Sequence, residues 1–412
     1  MTPEELDRRE FLRRIGATAG GLAGIAAGAT VLGGCDGQPA SSHPPSSTRA
    51  PGTKTKGHGG TDAVTTDSLG LPIAQWVVEE NARPGTAEWL LHGTPPLGVE
   101  GFADHASAVA GDEVTVYVTS TARVVGPKIF RLGWYQGYGA RLVADLGDYP
   151  GVEQPSAAFL SDTRTVECHW QPTFRFTVGD DWPSGYYLIR LGTSSGYAQW
   201  VPLVVRDDSS RSAVVIQSSM TTWQAYSLWG DYSLYLGPTS GGGDSVDNRA
   251  YMVSFDRPYA PGWEDGSADL FGNEYPMIAL CERLGVDVTY WTDVDLHERP
   301  QLLTNHRLLV SLGHDEYWSS TMRFACQEAL AKGVNFAFFG ANACYRHIRF
   351  EPSPLGQNRR VVCYKDASLD PLLGHDDAEV TANWDSGPLP RPESQLIGIE
   401  YVAYQPIGTP FE

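Results

Sequence analysis

The sequence predicts an α+β chain of more than one domain: an N-terminal antiparallel β-sandwich, then an α/β unit with a mostly parallel sheet. Three observations predict it. From about Leu71 to Arg206, apolar and polar residues alternate in short runs split by Gly, Pro and Asp, the pattern of half-buried antiparallel strands. After Asp207, short apolar runs alternate with helical patterns, which calls for parallel strands covered by helices. The residues before both regions show neither pattern. The expected divisions are 1–35, 36–67, 68–207 and 208–412.

Residues 1–35 read as an export signal. Asp7-Arg8-Arg9-Glu10-Phe11-Leu12-Arg13-Arg14 places four arginines before the Gly- and Ala-rich stretch Ile15–Leu32. A basic start, a weakly apolar middle and small residues before a cleavage point make a secretory signal, and the Arg-Arg pair marks the twin-arginine route. Leu32-Gly33-Gly34-Cys35 resembles a lipoprotein box, with Cys35 the lipidated residue. A spanning helix needs about 20 strongly apolar residues, which this glycine-rich stretch does not supply. The expected location is therefore the cell envelope outside the cytoplasm, held to the membrane by lipid alone. Asp36–Asp67 is Pro, Ser, Thr, Gly and Lys with few large apolar residues, so it is expected to be a disordered tether.

In the first folded unit, Glu113–Thr119 and Thr173–Val178 alternate and Tyr186–Arg190 is rich in strand formers. In the second, strands are expected at Ala213–Gln217, Val286–Trp291, Arg307–Leu312 and Val334–Phe339. Helices are expected at Pro276–Leu284 and Ser320–Lys332, each stopped by a glycine, Gly285 or Gly333. Acidic residues outnumber basic ones 49 to 30, a net charge of −19. That excludes a nucleic-acid partner, which needs a basic face. With Cys35 lipidated, five cysteines remain and no Cys-x-x-Cys occurs, so no zinc ribbon is expected. Cys281 and Cys326 lie in helical patterns and read as buried thiols.

Ligands of parallel sheets bind beyond the carboxyl ends of the strands. That rule selects three loops: Gln217–Tyr226, Gly313–Trp318 and Gly340–Asn342. Gly313-His314-Asp315-Glu316-Tyr317-Trp318 is the most informative. His314 and Glu316 are two apart, so an extended chain turns both to one side, where a carboxylate can bind a hard ion and an imidazole can move protons. Asp315 is expected to cap the helix that follows.

Several strings resemble the large-subunit region of the N,N-dimethylformamidase family: His314–Trp318, Gly340–Asn342, Thr222-Trp-Gln-Ala-Tyr226, Arg131-Leu-Gly-Trp-Tyr135, Asn81–Thr86 and Asp256-Arg-Pro-Tyr259. The resemblance runs from about residue 75 to the C-terminus. It implies a mononuclear iron, Fe(III), held by two tyrosines and a glutamate, matched here by Tyr226, Tyr259 and Glu316. It also implies a histidine and an asparagine beside the metal, matched by His314 and Asn342. Tyr232, Tyr235, Tyr251 and Tyr275 lie near enough in sequence to compete with Tyr259. The implied function is hydrolysis of amide C–N bonds, with a small amide as substrate and a homo-oligomer or small partner subunit as the assembly. Family members continue further, with an additional acidic residue at the site, so the 208–412 unit is expected to be either C-terminally truncated or a shorter form that lacks this acid. The competing reading is a non-catalytic surface module for a sugar or polymer, using the aromatic stretch Trp223–Tyr235. A zinc hydrolase is disfavoured, because no His-x-x-x-His occurs.

Overall fold

Strand pairing divides at the point where the sequence pattern changes. The computed structural model describes residues 64–66, 72–91 and 98–400. The export signal, Cys35 and most of the expected tether lie outside the described residues. The fold is mixed α+β with more strand than helix.

Before residue 207 the alternating segments pair antiparallel. Glu113–Ser120 lies between Phe174–Thr177 and Val99–Ala103 in a three-stranded sheet. A six-stranded sheet is built on Gly185–Thr193, which pairs with Ala198–Val205 on one side and Val124–Leu132 on the other. One residue in two of these strands is apolar and inward. Val114, Val116 and Val118 of the first sheet therefore pack with Ile129, Ile189 and Leu203 of the second. The expected tether ends earlier than its composition suggests. Val64–Thr66 pairs antiparallel with Pro72–Ala74 and leads to the helix Gln75–Asn81.

After residue 207 four strands are parallel, in the order Val288–Thr292, Val214–Ser218, Leu308–His314, Asn335–Ala341. Each is within about two residues of its expected span. Helix Tyr275–Leu284 stops at Gly285, whose φ of 67° is left-handed, a conformation that costs glycine little. Helix Ser320–Ala331 follows the strand ending at His314. A second four-stranded sheet, with no clear sequence signal, joins Met252–Ser254, Gly356–Val362, Arg346–Ser353 and Tyr317–Ser319.

The two halves share one core. Trp76, Phe130, Leu188 and Val204 belong to the same buried cluster as Ile216, Tyr290, Val310 and Leu312. Across it, fully buried Arg131 pairs with Glu282 at 2.8 Å, and Tyr290 donates to the same carboxylate at 2.8 Å. Asn81 accepts from the backbone of Trp134 and Tyr135 at 2.8 and 3.1 Å. Asn81 Nδ2 also donates to the Glu282 carboxylate, so Asn81 of the string Asn81–Thr86 and Arg131 of the string Arg131–Tyr135 fasten one half to the other. Among the described residues no helix is long and apolar enough to cross a membrane, and the five described cysteines are free.

Candidate active site

The parallel strands Val214–Ser218, Leu308–His314 and Asn335–Ala341 release their loops on one edge. His314 and Ala341 are register partners, so His314 and Asn342 leave adjacent strands side by side. The approach is close. A side chain at Gly340 would collide with the Gly313 carbonyl, and one at Gly313 would collide with Asn273. Gly313 also has φ 64°, and Asn342 follows with φ 53°.

Tyr226 ends the helix Met220–Tyr226, which starts just beyond the first strand. Thr222 of that helix accepts the Glu316 backbone N–H at 2.9 Å, and Thr221 donates to the Tyr317 carbonyl at 2.8 Å. The helix thereby fixes Glu316 opposite Tyr226. The Tyr226 hydroxyl donates to Glu316 Oε2 at 2.8 Å.

The third member of the cluster is Tyr235. Its hydroxyl lies 2.7 Å from that of Tyr226 and donates to Glu316 Oε1 and Oε2 at 2.9 and 2.8 Å. The two tyrosine rings stack with centroids 4.2 Å apart. Tyr235 reaches this place because the chain reverses at Gly230, φ 71°, and Leu234 returns to hydrogen-bond the Ala225 carbonyl at 2.9 Å. In the sequence this reversal is marked by Gly230-Asp231 between two aromatic runs, a turn signal with no periodicity of its own.

Tyr259 lies elsewhere. Its ring packs edge-on against Trp223 at 6.1 Å, and it lines a separate small cavity with Phe102, Met220 and Arg359. The string Asp256-Arg-Pro-Tyr259 contributes its arginine instead. Buried Arg257 donates to the carbonyls of Gln224, Ser227, Trp229 and Tyr232 and to the Gln224 side chain. It ties down the whole segment between Tyr226 and Tyr235. Burial lowers its pKa to about 10. Asp315 is likewise displaced from its expected role. Tyr317–Ser319 forms a strand, so the helix starts later and Ser319 caps it. The buried Asp315 carboxylate instead accepts from Ser311, Gln217 and Trp318 at 2.8, 2.9 and 2.8 Å.

His314 Nε2 is 3.3 Å from Glu316 Oε2 and 3.2 Å from Asn342 Nδ2. A tautomer with hydrogen on Nε2 donates to Glu316; the other accepts from Asn342. Two cations border the cluster. Arg346 Nε lies 3.3 Å from Glu316 Oε1. The Lys365 ammonium nitrogen is 2.9 Å from the centre of the Tyr235 ring, is buried, and has no hydrogen bond among the described residues. Burial, then the nearby Arg346 charge, holds the Lys365 pKa well below the usual lysine range. Burial first, and the Glu316 charge second, push both Tyr226 and Tyr235 above the usual phenol range. Trp223, from the aromatic stretch considered for sugar binding, is buried in the core.

Residues 126–412 match the family described as N,N-dimethylformamidase beta subunit-like, C-terminal. The chain belongs to that family. The match covers His314, Asn342, Tyr226, Tyr235 and Glu316, while the helix Gln75–Asn81 and the strand Val99–Ala103 precede it. No curated protein matches this member of the N,N-dimethylformamidase beta subunit-like family. One similar solved structure is a Paenibacillus sp. cycloisomaltooligosaccharide glucanotransferase complexed with cycloisomaltoheptaose, at 10% identity and a TM-score of 0.20. That match covers 62% of this chain and 56% of the other, so the chain spans little more than half of that protein. A likeness so slight carries no argument about this chain.

Proposed function

We propose that the chain hydrolyses amide C–N bonds with a mononuclear ferric ion held by Tyr226, Tyr235 and Glu316. One observation carries this: three side chains from separate elements bring their oxygens within 2.7–2.9 Å of one another. Two ligands at right angles, each about 2 Å from an ion, lie about 2.8 Å apart, so the set fits a metal. Two phenols and a carboxylate are costly to gather away from water unless a cation neutralises them. Anionic oxygen donors suit a hard ion. Among the described residues no group of three or more His, Cys, Asp or Glu is placed to hold a metal, so a centre here draws on the tyrosines.

When bound, the ferric ion supplies Lewis acidity, polarising a carbonyl oxygen and making water more acidic. The chain's own groups do the rest. His314 Nε2 takes a proton from the attacking water and returns it to the departing amine. The Asn342 amide donates to the substrate oxygen as negative charge develops there. We further propose that the β-sandwich and α/β units are the two parts of this enzyme. Export and lipidation at Cys35 belong to the same proposal and place its amide substrate outside the cytoplasm.

Iron analysis and a visible spectrum of the purified chain test the function. The expected result is one iron per chain and a phenolate-to-iron charge-transfer band. Tyr235→Phe should abolish both, while Tyr259→Phe should keep both. A colourless, iron-free wild type, or a band that survives Tyr235→Phe and disappears with Tyr259→Phe, overturns this assignment.

A further inference from the structure

We infer that Arg346 is the positioning residue of the metal site: it holds Glu316 Oε1, so that Oε2 faces both tyrosine hydroxyls as the ligating atom. The inference rests on the proposed metal centre and goes beyond it by assigning a role to a residue that binds no metal. Its observations are geometric. The Glu316 side chain is 2% exposed. Its two oxygens share the Tyr235 hydroxyl and otherwise have different neighbours. Oε2 faces the hydroxyls of Tyr226 and Tyr235 and the His314 imidazole, at 2.8, 2.8 and 3.3 Å. Oε1 faces Tyr235 at 2.9 Å and Arg346 Nε at 3.3 Å.

Arg346 is placed for this by its backbone as well as its side chain. Its N–H donates to the Glu316 carbonyl at 2.8 Å. It opens the strand Arg346–Ser353, which pairs in parallel with Tyr317–Ser319 directly after Glu316. The guanidinium is then held from two further sides. Nη1 donates to Asn383 Oδ1, and the group lies 4.7 Å from the centre of the Tyr345 ring. Asn383 is itself fixed by donating to the Tyr345 hydroxyl at 2.8 Å. Among the described residues the ion pair of Arg346 is with Glu316. So firmly held a cation, aimed at one oxygen of a buried carboxylate, orients that carboxylate rather than merely neutralising it. Partners of this kind set ligand direction, and losing one commonly weakens metal binding about 10- to 100-fold.

The test compares the full-length wild type with Arg346→Gln, Arg346→Lys and Asn383→Ala. It measures iron retention against a competing chelator and the position of the charge-transfer band. Arg346→Gln should lose iron about 10- to 100-fold more readily and shift the band. Arg346→Lys keeps the charge without the planar fork and should recover part of the affinity. Asn383→Ala leaves the arginine in place but frees it, and should weaken retention in the same direction by less. It also carries the test if Arg346→Gln does not fold. Folded Arg346 and Asn383 variants that retain iron like the wild type, with an unmoved band, overturn the role of Arg346 and leave the metal centre standing. A wild type that takes up no iron overturns the metal centre, and the inference with it.

Discussion

At the residue scale, the site separates side chains that would hold a metal from those that would move protons. His314 touches Glu316 but presents its ring to the edge where Asn342 also lies. His314→Ala should therefore keep iron and colour while lowering kcat about 10²- to 10⁴-fold, the usual size of a lost general base. Turnover of a small amide by the iron-loaded variant checks it, and unchanged kcat would exclude His314 from proton transfer. Arg257 makes a different prediction. It is a buried cation whose partners are four backbone carbonyls and an amide. Arg257→Met strands those acceptors at about 1–3 kcal/mol each where they stay buried. Unfolding in denaturant should show a loss of at least about 3 kcal/mol. The iron band should weaken as well, although no ligand has been touched, because the segment carrying Tyr235 is no longer fixed.

At the element scale, the strands that bear the site were legible because their periodicity is simple. Leu308–His314 and Asn335–Ala341 are apolar runs of strand length, and the sheet-edge rule then picked out His314, Glu316 and Asn342. Tyr226 came from the family resemblance, and its place at the end of the loop after the first such strand agrees with the same rule. Tyr235 was not legible, because its place depends on a reversal at Gly230 and on Arg257 reaching across from another segment. Neither leaves a periodic trace. The sheet built on Arg346–Ser353 and Gly356–Val362 was equally hidden, and with it Arg346 and Lys365. Asp315 shows the converse failure, a good capping residue overruled because Tyr317–Ser319 pairs as a strand before the helix can begin. The close approach of Gly313 and Gly340 gives a test at this scale. Gly340→Ala must push apart the strands that carry His314 and Asn342. It should destabilise the chain by about 1–3 kcal/mol, as overpacking does. Its loss of kcat should exceed its effect on iron retention, since Tyr226, Tyr235 and Glu316 are held by other elements. An alanine variant with full stability and activity would show that the strand ends yield freely.

At the scale of the whole molecule, the shared core predicts that the two halves unfold as one cooperative unit, and a buried carboxyl at their contact predicts that its stability varies with pH. Glu274, 1% exposed, comes from the second half. It accepts from the Tyr186 hydroxyl of the first half at 2.7 Å and from the Ser219 N–H, at the start of the helix that ends in Tyr226, at 2.9 Å. Burial raises its pKa from 4.5 to about 8. Near and below pH 4.5 both the folded and the unfolded chain hold the proton, so the contribution is fully present. As pH rises towards 8 the unfolded chain releases the proton while the folded chain keeps it, so stability falls, and above that value no further loss follows. Asp293 is raised in the same direction, by burial and then by the charge of Asp315. Glu80 and Asp370 are lowered, so their contributions are lost only on acidification. Glu274→Gln keeps the shape and removes the titration. Its stability relative to the wild type should therefore climb between pH 5 and 8, on the order of 1 kcal/mol per pH unit at most. Calorimetry across that range should show a single transition for both proteins, with the two melting temperatures diverging as pH rises. A constant difference would mean that Glu274 is ionised in the folded chain. Two separate transitions would mean that the halves unfold independently despite their common core.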